Sequence, residues 1–162
     1  MSGSVRRAEP DDVPAMVGLV RELAAYEKAE HEALMTADQL HDALFGEAPA
    51  LFGHVAVTAD GEVAGLALWF LNFSTWRGTH GIYLEDLYVS PGARGTGLGR
   101  ELLRTLAQEC VDRGFARLEW TVLDWNSPAI DFYRAAGAVP MDEWTVHRLT
   151  DEALTRFAAD RR

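Results

Sequence analysis

Residues 82–103 read IYLEDLYVSPGARGTGLGRELL. Residues 82–89 form an apolar run rich in aromatic and branched side chains, the mark of a buried strand. Ser90-Pro91-Gly92 breaks the run, after which Leu98, Leu102, Leu106 and Cys110 recur one helical turn apart. Between strand and helix lies Arg94-Gly95-Thr96-Gly97-Leu98-Gly99. A strand that enters a helix through such a loop presents backbone N–H groups at a helix N-terminus, which suits a phosphate group.

Three glycine-loop patterns compete for this segment. GxxxxGK[ST] fails because no Lys follows the last glycine. GxGxxG fails because Arg100 stands where its third glycine belongs. R-x-x-G-x-G is matched by Arg94, Gly97 and Gly99, with Arg100 following. Together with YLEDLYV before it, residues 122–138 (VLDWNSPAIDFYRAAGA) and residues 22–27 (ELAAYE), this loop resembles the GNAT superfamily of N-acetyltransferases. Within it, the chain is similar to the branch of spermidine/spermine (diamine) acetyltransferases and their thialysine-acetylating relatives. The resemblance covers nearly the whole chain. It implies a GNAT fold of the α/β (α+β) class, with a central, mostly antiparallel mixed sheet flanked by helices.

The chain has 162 residues, which predicts one domain, 1–162, long enough to bury a core. Its hydrophobic share of 48% argues against disorder. No long apolar run opens the sequence, so neither a signal peptide nor a membrane span is expected. The single cysteine, Cys110, excludes an internal disulfide and fits a reducing cytoplasm. It lies on an apolar helical row, where an inert buried thiol is expected rather than a nucleophile. The formal net charge of −10 argues against nucleic acid as a partner. The same field would attract a cationic substrate, although it also serves solubility. Five histidines are scattered without an HExxH or CxxC arrangement, so no metal site is expected.

Taken in order, residues 5–8 read as a strand and residues 10–30 as a helix, with Val13, Met16, Val17, Val20, Leu23 and Ala24 on one face. Asp11 and Asp12 suit its positive end. Residues 36–45 read as a second helix capped by Thr36. Residues 52–59 and 62–73 are strand-like and joined by Asp60-Gly61, a strong hairpin signal. Residues 74–81 read as a loop, 82–89 as a strand, and 97–113 as a helix stopped by Gly114. Residues 115–123 read as a strand. Ser127 is expected to cap the next helix, with Pro128 at its first position and Gly137 at its end. Residues 139–149 are expected to hold one or two strands broken near Pro140, and residues 151–159 a terminal helix.

Acetyl transfer to an amine requires loss of a proton from the ammonium, stabilisation of negative charge on the thioester carbonyl, and protonation of the leaving thiolate. No covalent enzyme intermediate is needed, and the sequence offers no Ser-His-Asp or Cys-His set. Simple strand alternation places Glu85 with Tyr83, Leu87 and Val89, and Asp86 on the other face. Carboxylates in an apolar strand are costly unless paired or functional, so Glu85 is either an Arg partner or a working group. Tyr133 beside Ile130 reads as core when taken alone.

The resemblance implies specific roles. Glu85 binds the amine and helps deprotonate it through water, and Asp86 assists binding. Tyr133 is the general acid for the coenzyme A thiolate. Leu87, Tyr88 and Val89 pair with the pantetheine arm like an added strand, and an N–H near Leu87 polarises the thioester. Arg94, Gly95, Thr96, Gly97, Leu98, Gly99 and Arg100 hold the pyrophosphate. Glu119, Trp120 and Thr121 line the other side of the arm, where the strand of residues 115–123 splays away. Asn126 bonds the arm and Arg134 meets the phosphates. Tyr26 and Glu27 bind the amine, and Trp76 and Trp144 are pocket walls able to make cation–π contacts.

The expected partners are acetyl-CoA and a small cationic amine, with a second copy of the chain docking through residues 139–149. One departure bears on the substrate. Ser74 stands where the polyamine enzymes carry an Asp before the Trp, whereas Ser74-Thr75-Trp76 matches the thialysine-acetylating relatives. A short diamine or a lysine-like amino acid is therefore as well supported as spermine. A protein acetyltransferase and a non-catalytic acetyl-CoA-binding module remain the alternatives.

Overall fold

The computed structural model describes residues 2–162. Its strands are β1 (Ser4–Arg7), β2 (Phe52–Val57), β3 (Val63–Ser74), β4 (Thr79–Val89) and β5 (Leu118–Glu119). Its helices are α1 (Val13–Tyr26), α2 (Ala37–Phe45), α3 (Leu98–Arg113), α4 (Ser127–Ala135) and α5 (Asp151–Ala159). Two compact units are present, Met1–Leu123 and Asp124–Arg162.

The first unit holds one sheet in the order β1-β2-β3-β4-β5, antiparallel through β4 and parallel between β4 and β5. The mostly antiparallel mixed sheet expected from the sequence is present. Val55, Leu66, Leu68 and Tyr88 point to one face and pack with Val13, Met16, Val17, Leu19, Leu40 and Leu44 of α1 and α2. Strand alternation turns His54, Ala67 and Trp69 to the opposite face. There Leu98, Leu102, Leu103, Leu106 and Cys110 form the buried row of α3. Cys110 is buried, and burial pushes its thiol pKa up, which agrees with an inert side chain.

The chain enters α1 later than the sequence suggests. Residues Pro10–Asp12 form a 3-10 turn, and the α-helix begins at Val13. Asp12 accounts for this start. Its carboxylate accepts from the Glu9 N–H at 2.7 Å and takes the Arg6 guanidinium at 2.7 and 3.0 Å. Thr36 caps α2 as expected, in a reciprocal box with Gln39. Gly114 ends α3 with φ 71°.

Three further expectations are corrected. The strand expected at residues 115–123 shrinks to Leu118–Glu119, because its pairing with β4 covers only Ile82↔Leu118 and Tyr83↔Glu119. No strand forms in residues 139–149. Apolar content alone does not make a strand, which also needs a paired neighbour for its backbone, and Val139, Met141, Trp144, Val146 and Leu149 are exposed. In the second unit, α4 is capped by Asn126 rather than Ser127: the Asn126 Oδ1 accepts from the Ala129 N–H at 3.4 Å. Gly137 follows α4 with φ 95°, and the Ala138 N–H returns to the Tyr133 carbonyl at 3.1 Å.

Candidate active site

The glycine loop leaves β4 at Val89, makes a 3-10 turn over Pro91–Ala93, and enters α3 at Leu98. Gly95 and Gly97 have φ 80° and 86°, a region that side-chain-bearing residues rarely adopt. Thr96 Oγ1 donates to the Ala93 carbonyl at 2.5 Å. The first intrahelical bond of α3 runs from Glu101 N to Gly97 O at 3.0 Å. The N–H groups of Leu98, Gly99 and Arg100 therefore precede the helical ladder and lie at the positive end of the helix dipole. This end can hold an anion such as a pyrophosphate.

β4 carries an irregularity that simple alternation does not anticipate. Leu84 stands opposite Trp69 and Asp86 opposite Leu68, so Glu85 is an extra residue in the ladder. Tyr83 pairs with Phe70, their rings 5.1 Å apart, and so shares the face of Leu68 and Asp86. The expectation that Tyr83 keeps company with Leu87 is thus overturned, because the bulge at Glu85 resets the pleat between them. Glu85 is exposed and Asp86 half-buried.

Burial, then repulsion from Glu85 and from Glu27, raises the Asp86 carboxyl pKa to about 6. Burial alone raises Glu27. Glu27, from the end of α1, and Glu85 with Asp86, from the β4 bulge, therefore form one acidic group. Its uncompensated charge favours a cation.

Tyr26, expected beside the amine, turns its ring to Arg94, 5.6 Å from the guanidinium carbon. Arg94 also lies 5.4 Å from the Tyr88 ring, and its Nε donates to the Val89 carbonyl at 3.0 Å. Past Tyr83 the pairing with β5 stops. Glu119 accepts from Asn72 Nδ2 at 3.3 Å, Trp120 is half-buried and Thr121 exposed. Trp76 sits at the β3–β4 turn, 80% exposed.

In the second unit, Asn126 is buried at the start of α4, Tyr133 is half-buried with its ring 5.4 Å from Phe132, and Arg134 is exposed. Trp144 is exposed. Among the described residues no group of three His, Cys, Asp or Glu side chains is arranged to hold a metal, and no helix is long and apolar enough to cross a membrane.

Sequence reasoning gave no side-chain partner to Glu22, Ser90 or Asn72. Glu22 Oε1 accepts from Tyr88 Oη at 3.3 Å and from Ser90 Oγ at 3.1 Å. Its one signal was its place one turn before Tyr26. Gly81 also has a role that its letter did not reveal. A Cβ there would meet both the Arg117 carbonyl and Asn72 Oδ1 at 2.7 Å, so β4 and residue 117 approach closely only because the side chain is absent.

A glycine loop at a helix N-terminus, an adjoining bulged strand and a parallel neighbour that parts from it are the features around which the site is built. Residues 17–138 match the acetyltransferase (GNAT) family, and the chain belongs to that family. It is 37% identical to the thialysine N-epsilon-acetyltransferase of Bos taurus, over 95% of this chain and 96% of that one. It is 30% identical to the L-ornithine N5-acetyltransferase of Arabidopsis thaliana, over 95% and 87%. Among solved structures, an integron cassette protein from the mobile metagenome of V. cholerae superposes with TM-score 0.81 at 29% identity, covering 99% of both chains.

Proposed function

We propose that this enzyme transfers the acetyl group of acetyl-CoA to the primary amine of a small cationic metabolite, a diamine, a polyamine or a lysine-like amino acid. The observation that carries the reading is the acidic group of Glu27, Glu85 and Asp86 on the strand that feeds the glycine loop. Relatives named for thialysine and ornithine, together with Ser74-Thr75-Trp76, favour a lysine-like acceptor over a long polyamine.

Acetyl-CoA, when bound, supplies an activated acetyl thioester. Leu98, Gly99 and Arg100 would direct N–H groups at its pyrophosphate, with Arg94, Gly95, Thr96 and Gly97 shaping the loop. The β4 backbone from Leu87 to Val89 would align the pantetheine arm with Glu119, Trp120 and Thr121 beside it, and the family resemblance gives Asn126 and Arg134 of the second unit the remaining cofactor contacts. Asp86, Glu27 and Tyr26 orient the ammonium, with Trp76 and Trp144 as walls. Glu85 would take a proton from the ammonium through water, the freed amine nitrogen would bond the carbonyl carbon as the C–S bond breaks, Tyr133 would give its phenolic proton to the departing sulfur, and the second proton shed by the nitrogen would return to Tyr133 through solvent. No residue becomes acetylated.

Both compact units belong to one catalytic domain in this reading, and the family match at 17–138 spans their boundary. A cytoplasmic homodimer, docking through the exposed apolar residues of 139–149, completes it; sedimentation equilibrium tests the dimer.

Thiol release from acetyl-CoA across thialysine, lysine, ornithine, putrescine, spermidine, spermine and a lysine-bearing peptide tests the function. Rapid acetylation of a small amine is expected. Turnover of the peptide alone would replace this reading with protein acetylation, and acetyl-CoA binding without any turnover would point to a regulatory module.

A further inference from the structure

α1 and the loop after β4 are joined by a set of contacts that the acetyl-transfer reading does not use. Glu22 and Tyr26 are four residues apart and so lie on one face of α1. Glu22 receives both the Tyr88 and Ser90 hydroxyls on a single oxygen, at 3.3 and 3.1 Å. One turn on, the Tyr26 ring meets the Arg94 guanidinium, which touches the Tyr88 ring and bonds the Val89 carbonyl. Ser90, Glu22, Tyr88, Arg94 and Tyr26 thus form one chain of contacts between α1 and the exit of β4.

The loop needs outside support, because glycine gives its backbone no conformational preference that would hold Gly95 and Gly97 in place. Arg94 opens the R-x-x-G-x-G pattern, yet its side chain points back along the strand to Val89 and toward α1. Burial, and then the Glu22 charge, push the Tyr88 phenol up, so it stays a hydrogen-bond donor across the working pH range.

We infer that Glu22 is a positioning residue for the donor loop: it holds Tyr88 and Ser90 at the strand exit, and the Tyr88 ring so held, with Tyr26, flanks Arg94 as a brace between α1 and the loop. The inference rests on the reading of residues 94–100 as the coenzyme A phosphate loop. It has a consequence for how the two ligands couple. α1 carries Tyr26 and Glu27 at its amine-binding end, so amine and coenzyme A tighten each other's binding through the brace.

The test compares wild type, Glu22→Ala, Glu22→Gln and Ser90→Ala by calorimetric titration with coenzyme A, with and without thialysine, alongside steady-state kinetics and thermal melts. Glu22→Ala is expected to weaken coenzyme A binding and raise the KM for acetyl-CoA about fivefold, and to abolish the tightening by amine, with kcat within about twofold. Glu22→Gln, which keeps an acceptor oxygen, should restore most of the affinity, and Ser90→Ala should show a smaller loss in the same direction. A general structural role would lower the melting temperature without moving KM. Coenzyme A affinity and KM within twofold of wild type in both Glu22→Ala and Ser90→Ala would overturn the inference. If Glu22→Ala does not fold, Ser90→Ala decides. Wild-type protein that binds coenzyme A but acetylates no amine refutes the proposed function alone, since the affinity comparison still decides on Glu22. Wild-type protein that binds no coenzyme A refutes both.

Discussion

Asp86 stands directly opposite Leu68 in the β3–β4 ladder, on the face that α1 covers, with the bulged Glu85 before it. A carboxyl group placed there titrates near 6 because of burial and two acidic neighbours. The folded state then binds more protons than the unfolded chain between the ordinary carboxyl range and about 6. Stability from this group is present at low pH and is lost as pH rises through that window. Asp86→Asn should therefore raise the melting temperature at pH 7.5 by a few degrees, roughly 1 kcal/mol. The gain should vanish toward pH 4, and the KM for the amine should rise. Melts at several pH values and steady-state kinetics check both parts.

His54 works in the opposite sense. Trp69 Nε1 donates to His54 Nδ1 at 3.1 Å, which places the imidazole proton on Nε2. Burial, and then the Arg7 charge, lower the His54 pKa to about 4. The unfolded chain takes up this proton near its ordinary pKa, so stability falls as pH drops from about 6.5 to about 4. Asp86 gains stability in part of the same window, so the two partly cancel in the wild type. His54→Leu should flatten the acid limb of the melting-temperature profile relative to wild type while lowering stability at pH 7.5 by about 1–3 kcal/mol, because the Trp69 N–H loses its acceptor.

Gly97→Ala tests the loop backbone. No atom lies within 4 Å of the added Cβ, so any cost comes from φ 86° alone. A loss of about 1–2 kcal/mol is expected, with a raised KM for acetyl-CoA. Gly92→Ala, also in open space but without a positive φ, should behave as wild type in both measurements.

Tyr133→Phe should lower kcat by about 100-fold or more while leaving coenzyme A affinity unchanged, as expected for loss of a proton donor. Unchanged turnover would remove Tyr133 from the mechanism. A thiol ester with a more acidic leaving group should partly restore the rate.

The parts of this fold set by local chemistry were readable in advance. α3 followed from its leucine row between Gly97 and Gly114, α2 from its Thr36 cap, and the β2–β3 hairpin from Asp60-Gly61. The parts set by a partner strand were not. Nothing in YLEDLYV announces that Glu85 is the extra residue, because a bulge is defined by the register of Trp69 and Leu68 across the ladder. The shortness of β5 and the irregular path of residues 139–149 have the same origin. Glu22 opens the ELAAYE segment, yet nothing local to it shows that the hydroxyls of Tyr88 and Ser90 are brought to its carboxylate.

Trp69 lies fully buried between the Phe52 and His54 rings and the guanidinium groups of Arg7 and Arg113, whereas Trp76, Trp125 and Trp144 are exposed and Trp120 is half-buried. The protein thereby contains its own optical gauge. Emission that survives a soluble quencher comes chiefly from Trp69 and reports the integrity of the sheet, while the quenchable remainder reports events at the surface, so one sample can follow unfolding and ligand docking as separate signals.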